Sequence, residues 1–414
     1  MTIEQPGMSS RRGFAGNAGP NRRDVIIGGA ASAAFAVAPG MARPALAQSG
    51  PIKIGVLAPI SGVYASLGTH KVNGIKMLFD QNGMKIAGRP VELLVEDTEA
   101  KPQEGLRKAR KLVESDQVDV LLGVLSSAVG NAIKEYVARA NKVWITTGAA
   151  ADGIFKKKNN NPYAFRASLS TWQANHPMGT WLAGKGFKRV LLTGPDYAMG
   201  READEAFRAT FEVNGAQKVG EVFVPLGTSD YAPYLSQIKK AEPDLIYASY
   251  AGADAVRFVQ QYAAFGLAPA IKLAGYGYLV EEDVLVAQGD AALGVQSGIN
   301  WAYGLDTPEN RQFVEDYRKR TDSTATVDAV AGYVGAQVVL EAIKSLGGNV
   351  PSQLELSQAV GKVKLAKTPR GPLSFDPETN NVIQNVYIRE VANMGGQLHN
   401  KVVATYENVK DPGE

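Results

Sequence analysis

Short apolar runs rich in β-branched residues recur along the chain and alternate with segments of helical period. Their starts lie 24 to 39 residues apart, which is the length of a strand, a helix and two loops. The runs form two sets of four, at residues 52–58, 91–97, 118–124 and 142–147, and at residues 189–194, 218–224, 244–250 and 271–275. This order predicts an α/β protein of two doubly wound, Rossmann-like lobes, each a parallel sheet covered by helices on both faces.

After residue 300 the pattern changes to two helices followed by extended segments. Thr307 and Pro308 form an N-cap and first-turn pair that opens a predicted helix over residues 307–320. Residues 326–346 predict a longer helix, whose small residues indicate close packing, and residues 371–376 and 382–391 predict a final extended pair. Because these pieces are too few for a third domain, they must complete the two lobes, so the chain crosses between the lobes and forms a hinge.

The first 47 residues have the pattern of an export signal. Arg22 and Arg23 precede an apolar run over residues 25–38, and Ala45-Leu46-Ala47 follows. Fourteen helical residues span about 21 Å, less than the roughly 30 Å of a bilayer core, so this run predicts a signal peptide and no anchor. The paired arginines favour the twin-arginine route. We therefore expect a soluble periplasmic protein cleaved near Ala47, with a disordered cytosolic tail as the alternative for residues 1–47.

Composition and motifs exclude most kinds of catalysis. The 414 residues include no cysteine and only three histidines, none spaced as a metal pair. The chain lacks the phosphate-binding, dinucleotide, nucleophile-elbow and zinc-protease motifs. We therefore predict no catalytic residue, no metal, no cofactor and no enzyme, although carboxylate-only catalysis stays open. The net charge is +3, and it is carried by residues 1–47, so neither nucleic acid nor a membrane surface is an expected partner.

Small, hydroxyl-bearing turns follow two successive strands of the first set. Residues 125–131 (LSSAVGN) come after the third strand, and residues 146–151 (TTGAAA) end the fourth. Ligands of open α/β sheets bind at the carboxyl ends of strands, where free N–H groups and a helix dipole attract anions. Ordinary helix capping accounts equally well for one such turn. Two of them in sequence favour a cleft that binds a carboxylate.

The order of short motifs resembles one known family over nearly the whole chain after residue 51. Residues 52–62 (IKIGVLAPISG) with Tyr64 and Ala65 resemble the opening of type I periplasmic substrate-binding proteins. The leucine/isoleucine/valine-binding type, which serves ABC transporters, is the subgroup indicated. Further matches are Asn73-Gly74 and residues 194–200 (GPDYAMG), 228–235, 243–246 and 371–376 (GPLSFD).

The resemblance implies two lobes joined by a three-crossover hinge that close over a small solute. It places lobe 1 at residues 51–168 plus 300–370 and lobe 2 at residues 169–299 plus 371–410. The implied partners are a small-molecule carboxylate and an ABC permease in the inner membrane, and we expect a monomer.

The resemblance also implies where the ligand binds. The turns after the third and fourth strands hold its carboxylate, and aromatic side chains face it across the cleft. Ser127 falls on the hydroxyl donor typical of amino-acid binders, whereas Ala151 stands where they often carry threonine. The predicted ligand-binding residues are Tyr64, Leu125, Ser126, Ser127, Thr147, Ala149, Ala150, Ala151, Tyr197, Tyr250, Tyr276 and Tyr278.

One departure from the family concerns the ligand's ammonium group. Amino-acid binders carry an acidic residue just after the strand at residues 271–275, where this chain has Tyr276-Gly277-Tyr278. A buried ammonium without an anionic partner is costly. Asp254 is an alternative partner, although its position favours a role at the start of the next helix. A tyrosine-rich wall suits a small hydrophobic or aromatic carboxylate. A hydrophobic or branched-chain amino acid, and an extracytoplasmic sensor of the same fold, remain the alternative functions.

Overall fold

Two separate sheets organise the described residues of the computed structural model. The structure describes residues 50–414 except Tyr197 and Pro269, and gives the backbone alone at Val63, Asn159, Ala198 and Asn214. The predicted signal peptide and the predicted ligand-binding residue Tyr197 lie outside the described residues. Among the described helices, none is both long and apolar enough to cross a membrane.

The first sheet contains six strands within the described residues, in the order β2-β3-β1-β4-β5-β6. They are β1 (Ile52–Ala58), β2 (Lys85–Ile86), β3 (Arg89–Asp97), β4 (Val120–Gly123), β5 (Trp144–Thr146) and β6 (Ala164–Arg166). All pairs are parallel except β2 with β3. β1 is central and its apolar side chains are fully buried, which explains its near-continuous hydrophobic run.

The second sheet contains nine strands within the described residues, in the order β12-β13-β14-β11-β10-β9-β7-β8, with β15 paired to β14. They are β7 (Arg189–Pro195), β8 (Gln217–Val224), β9 (Leu245–Ala248), β10 (Lys272–Tyr276), β11 (Gln296–Ile299), β12 (Lys364–Leu365), β13 (Leu373–Phe375), β14 (Val382–Met394) and β15 (Gln397–Val409). β7 to β11 are parallel, whereas β12 to β15 add an antiparallel edge.

Helices connect the parallel strands of both sheets, as the sequence predicts. They are α1 (Ala65–Gln81), α2 (Pro102–Arg110), α3 (Ser127–Arg139), α4 (Thr171–Gly184), α5 (Ala198–Phe211), α6 (Ala232–Lys240), α7 (Gly252–Ala264) and α8 (Glu282–Gln288). The described part of the chain is therefore α/β with two doubly wound lobes, which confirms the predicted fold class.

Three further helices follow β11 and return to the first lobe. They are α9 (Pro308–Thr321), α10 (Val327–Ser345) and α11 (Gln353–Gly361). α9 and α10 begin after the N-caps Thr307 and Thr326, whose side chains accept backbone N–H groups, so both predicted helices are confirmed. α10 packs on α1 so closely that a Cβ at Gly74 would lie 2.0 Å from the carbonyl oxygen of Ala329.

The chain thus passes between the lobes three times: before α4, after β11 and after α11. Because β12 pairs with β13, the second sheet already includes residues 364–365, which the predicted boundary at residue 370 assigns to lobe 1. Glu281 ties the lobes near the second crossing. Its carboxylate accepts the N–H of Val327 at 2.8 Å and pairs with the buried Arg389 at 2.8 Å.

Candidate functional site

The N-terminus of α3 forms the first wall of the site. β4 ends at Gly123, and after a short turn Ser126 caps α3, its side chain accepting the N–H of Val129 at 3.5 Å. The extended backbone of Ser126 lets the helix begin at once, so its first N–H groups are left without intrahelical partners. These groups and the positive end of the helix dipole favour an anion.

The turn after β5 is held at both of its ends by the first lobe. The N–H of Ala151 donates to Ser127 Oγ at 3.0 Å, and Lys71 Nζ donates to the carbonyl oxygen of Thr147 at 2.6 Å. Because Ser127 Oγ accepts from the turn and donates to none of the described residues, its hydroxyl proton remains available to a ligand. A charge-assisted hydrogen bond from this hydroxyl would strengthen the binding of a carboxylate.

Both walls border a cavity of about 430 Å³ between the lobes. Eight predicted ligand-binding residues line it: Tyr64, Leu125, Ser126, Ser127, Ala150, Ala151, Tyr276 and Tyr278. Its other lining residues are Leu67, Ala128, Asn131, Gly148, Gly153, Met199, Glu202 and Ala251. The cavity is therefore built at the carboxyl ends of strands from both sheets, as open α/β sheets favour.

Three predicted residues lie beside the cavity without lining it. Thr147 is buried and contributes its carbonyl to Lys71, while Ala149 is fully buried against α3. Tyr250 lies in the core of the second lobe, where its hydroxyl is 2.7 Å from Thr193 Oγ1 and its ring packs against Phe258. Tyr250 points into the core because that side of β9 offers both a polar partner and an aromatic cluster.

Asp254, the alternative partner for an ammonium group, lies outside the cavity lining. It stands in the first turn of α7, pairs with Arg257 at 2.9 Å and accepts the N–H of Gly227 at 2.9 Å. These contacts give its carboxylate a role at the helix start. The structure therefore does not bring Asp254 to the predicted ligand.

Tyr276 and Tyr278 form the wall that the second lobe contributes. Their rings meet edge to face with centroids 5.4 Å apart. The hydroxyl of Tyr278 donates to Asp328 Oδ2 at 3.4 Å, a long hydrogen bond, and Asp328 pairs with the buried Lys71 at 3.0 Å. Burial raises the pKa of both phenols well above the usual value, so both are neutral hydrogen-bond donors at physiological pH.

Glu202 is the acidic residue that the sequence analysis missed. It is the one acidic side chain lining the cavity among the described residues, and its Oε2 accepts the N–H of Asp152 at 3.3 Å. Burial is the largest influence on this carboxyl and raises its pKa, against the smaller opposing effects of that N–H and of Arg166. The reasoning that pointed to the turn after β4 applies here as well, because α5 begins just after β7 and its first turns face the same edge.

Arg166 supports the turn from behind. Its guanidinium is fully buried, lies over the ring of Phe155 and donates to the carbonyl oxygen of Ala151. This contact keeps the Ala151 carbonyl turned away and its N–H directed to Ser127. No group of three or more potential metal ligands occurs within residues 50–414 as described.

Two doubly wound lobes with a cavity between them at the carboxyl ends of their strands are the architecture of a ligand-capturing binding protein. The family model described as a periplasmic binding protein matches residues 51–397, and the chain belongs to this family. The predicted relationship to the leucine/isoleucine/valine-binding type is thereby confirmed, since curated relatives carry that name.

Three similar proteins illustrate the relationship. A Leu/Ile/Val-binding protein homolog 6 of Brucella melitensis is 33% identical over 370 residues, 87% of this chain and 93% of its own. The solute-binding protein of an ABC transporter from Rhodopseudomonas palustris BisB5, solved with 3,4-dihydroxybenzoic acid, is 34% identical with a TM-score of 0.83, covering 88% and 99%. Another from R. palustris, solved with benzoate, is 29% identical with a TM-score of 0.81, covering 88% and 99%.

Proposed function

We propose that this chain captures a small aromatic carboxylate in the cavity between its lobes and delivers it to an ABC permease of the inner membrane. One observation carries the proposal. The Ser127 hydroxyl and the α3 N-terminus on the first lobe border the same cavity as two neutral tyrosines on the second. The first wall suits a carboxylate and the second an aromatic ring, which prefers edge-to-face or offset contacts.

The relatives support this ligand class. Two similar solute-binding proteins were solved with benzoate and with 3,4-dihydroxybenzoic acid. In this chain Tyr276 occupies the place where amino-acid binders of the family have an acidic residue, so the ammonium of an amino acid lacks its usual partner there. We infer further that the protein acts as a monomer in the periplasm and releases its ligand chemically unchanged.

A hydrophobic amino acid is the second candidate ligand, and Glu202 is the observation that favours it. Its carboxyl lines the cavity and accepts the N–H of Asp152, the residue directly after Ala151, which is bound to Ser127. Glu202 therefore lies close to the proposed carboxylate site. An α-ammonium group beside a bound carboxylate could pair with it. Against this, burial already raises the pKa of Glu202 and weakens its hold on a cation.

A thermal-shift panel followed by calorimetry tests the proposal. Benzoate, 4-hydroxybenzoate, phenylalanine and leucine are added separately to the purified protein. A ligand that binds only the folded state adds about 2.7 kcal/mol of stability at 100 times its Kd, and the melting temperature rises accordingly. We expect stabilisation by the aromatic acids and none by leucine. Stabilisation by the amino acids alone would favour the second candidate, and ligand recovered unchanged after release would support binding without turnover.

A further inference from the structure

The hydroxyl group of Tyr276 has no hydrogen-bond partner within the described part of the chain. The residue is 2% exposed and lines the cavity, so this small accessible area opens on the cavity. Two other buried tyrosines of the second lobe do have partners: Tyr247 donates to Asn175 at 2.5 Å, and Tyr387 donates to the carbonyl oxygen of Arg370 at 2.9 Å. The hydroxyl oxygen keeps this accessible surface at the cavity, and a ligand that covered it without forming a hydrogen bond would bury an unsatisfied hydroxyl, which is costly.

The neighbouring charged groups do not supply that partner. Asp328, Asp152, Arg166 and Glu281 all act on Tyr276 electrostatically, yet each is engaged elsewhere. Asp328 is held by Lys71, Asp152 accepts the N–H of Trp172 at 3.0 Å, and Arg166 donates to the turn. Glu281 pairs with Arg389. The Tyr276 hydroxyl is therefore available to form a hydrogen bond with whatever occupies the cavity.

Tyr231 shows that an unpaired hydroxyl alone does not make a ligand contact. Its hydroxyl also lacks a partner, but the residue is completely buried in the second core among Tyr250 and Phe258. No ligand reaches that position. Tyr276 differs because it borders an open cavity whose opposite wall holds a carboxylate in the proposed function.

We propose that Tyr276 is a specificity-determining residue, and that the ligand class is the ring-hydroxylated benzoates in preference to benzoate itself. The inference rests on the proposed function. A carboxylate held at Ser127 directs the rest of the ligand to the second lobe, where a ring hydroxyl can both donate to and accept from Tyr276. A ligand without that hydroxyl leaves the buried phenol unpaired, and sites built to bind a hydroxyl discriminate strongly against such analogues.

The test compares affinities by calorimetry for benzoate, the three monohydroxybenzoates and 4-methylbenzoate. We expect the protein to bind at least one hydroxybenzoate about 5- to 100-fold more tightly than benzoate. 4-Methylbenzoate matches the size of 4-hydroxybenzoate without its hydrogen bond, so it should show no such gain if the 4-isomer is preferred. These measurements need no variant, so they decide the matter even if substitution at Tyr276 impairs folding.

Two matched variants test whether the Tyr276 hydroxyl causes the preference for a hydroxybenzoate. Tyr276→Phe should reduce the preference for the hydroxybenzoate to within about 3-fold, while benzoate affinity is kept or improved. Tyr278→Phe removes a hydroxyl that donates to Asp328, so it should change both affinities together and keep their ratio. Equal affinity for benzoate and all hydroxybenzoates, or an unchanged ratio in Tyr276→Phe, would overturn this inference and leave the proposed function standing. Failure of every aromatic acid to bind would overturn both.

Discussion

Glu202 Oε2, on the second lobe, accepts a hydrogen bond from the backbone N–H of Asp152, on the first, at 3.3 Å. The contact crosses the cleft beside the cavity, since Glu202 belongs to α5 of the second lobe and Asp152 follows β5 of the first. It thus joins the two lobes directly. Both carboxyls are raised in pKa by burial, and the pKa of Asp152 reaches about 7.

The protonation of Asp152 predicts a pH dependence of stability. Burial, helped by Asp411 and Glu202 and opposed by Arg166, raises the pKa of Asp152 from 3.8 to about 7. Between these values the folded state holds a proton that the unfolded chain loses, so stability falls as the pH rises through this range. From pH 5 to pH 8 this loss is on the order of 2–3 kcal/mol.

Asp152→Asn should therefore remove this contribution from the pH dependence of the unfolding free energy between pH 5 and pH 8, while those of Asp204 and Glu281, whose pKa values burial also raises to about 7, remain. Asparagine keeps an acceptor for the Trp172 N–H but cannot ionise. Asp306→Asn is the matched control, because the Asp306 side chain is 88% exposed and should leave the curve parallel to wild type. Urea denaturation at several pH values measures both. Identical slopes for wild type and Asp152→Asn would contradict the assignment.

Ser127→Ala should weaken binding of the true ligand, and because Ser127 Oγ also accepts the N–H of the buried Ala151, it should cost stability as well. The variant removes a charge-assisted hydrogen bond worth about 1.5–3 kcal/mol, equivalent to roughly 10- to 150-fold in Kd. Calorimetry measures the change in affinity.

Two helix caps provide the control for this experiment. Ser126→Ala and Ser352→Ala each remove a cap, of α3 and α11 respectively, at a cost of about 0.5–2 kcal/mol. Only the first should also reduce affinity, because α11 lies away from the cavity. Unchanged affinity in Ser127→Ala would show that the carboxylate binds elsewhere.

The sequence predicted the elements of the site better than the directions of its side chains. Alternation of strands and helices is a local signal, so the two turns could be located from it, whereas Ser127 was singled out by the resemblance to the family. Which residues of the turn face the cavity depends on how the turn is held, and Lys71 lies far away in the sequence. The direction of Tyr250 could not be predicted for the same reason, since its partner Thr193 comes from a neighbouring strand.

Other features gave weak or misleading signals. Glu202 lies among charged residues of α5, where a carboxylate is usually solvated, so the sequence did not distinguish it. β6 (AFR) and β11 (QSGI) contain few β-branched apolar residues, and β15 carries many polar side chains, so none of the three was predicted. The close contact of α1 with α10, in contrast, was indicated by the small residues of α10.

Removing one partner of the Lys71–Asp328 ion pair should destabilise the fold more than removing both. Both side chains are at most 1% exposed and lie 3.0 Å apart. Lys71→Met leaves Asp328 as an unpaired buried charge and removes the anchor of Thr147, so we expect a loss of about 3–5 kcal/mol in urea denaturation, with weaker ligand binding. The double variant Lys71→Met/Asp328→Leu should recover much of the stability but not the binding. A double variant no more stable than the single one would contradict this account.

The close contact between α1 and α10 predicts that Gly74 cannot be replaced by alanine without loss of stability. A Cβ at Gly74 would lie 2.0 Å from the carbonyl oxygen of Ala329, and one at Gly332 would lie 2.1 Å from that of Lys71. Gly74→Ala must therefore push the helices apart, which we expect to cost at least the roughly 1–3 kcal/mol of an overpacked core. Gly184→Ala is the matched control in α4, because nothing lies within 4 Å of its Cβ. There alanine should stabilise the protein by about 0.4–1 kcal/mol, because it lowers the conformational entropy of the unfolded chain.

Gly74→Ala should also weaken ligand binding, because Lys71 lies on α1 and its partner Asp328 on α10. Gly184→Ala should leave the affinity unchanged. Equal effects of the two variants on affinity would refute the coupling between helix packing and binding.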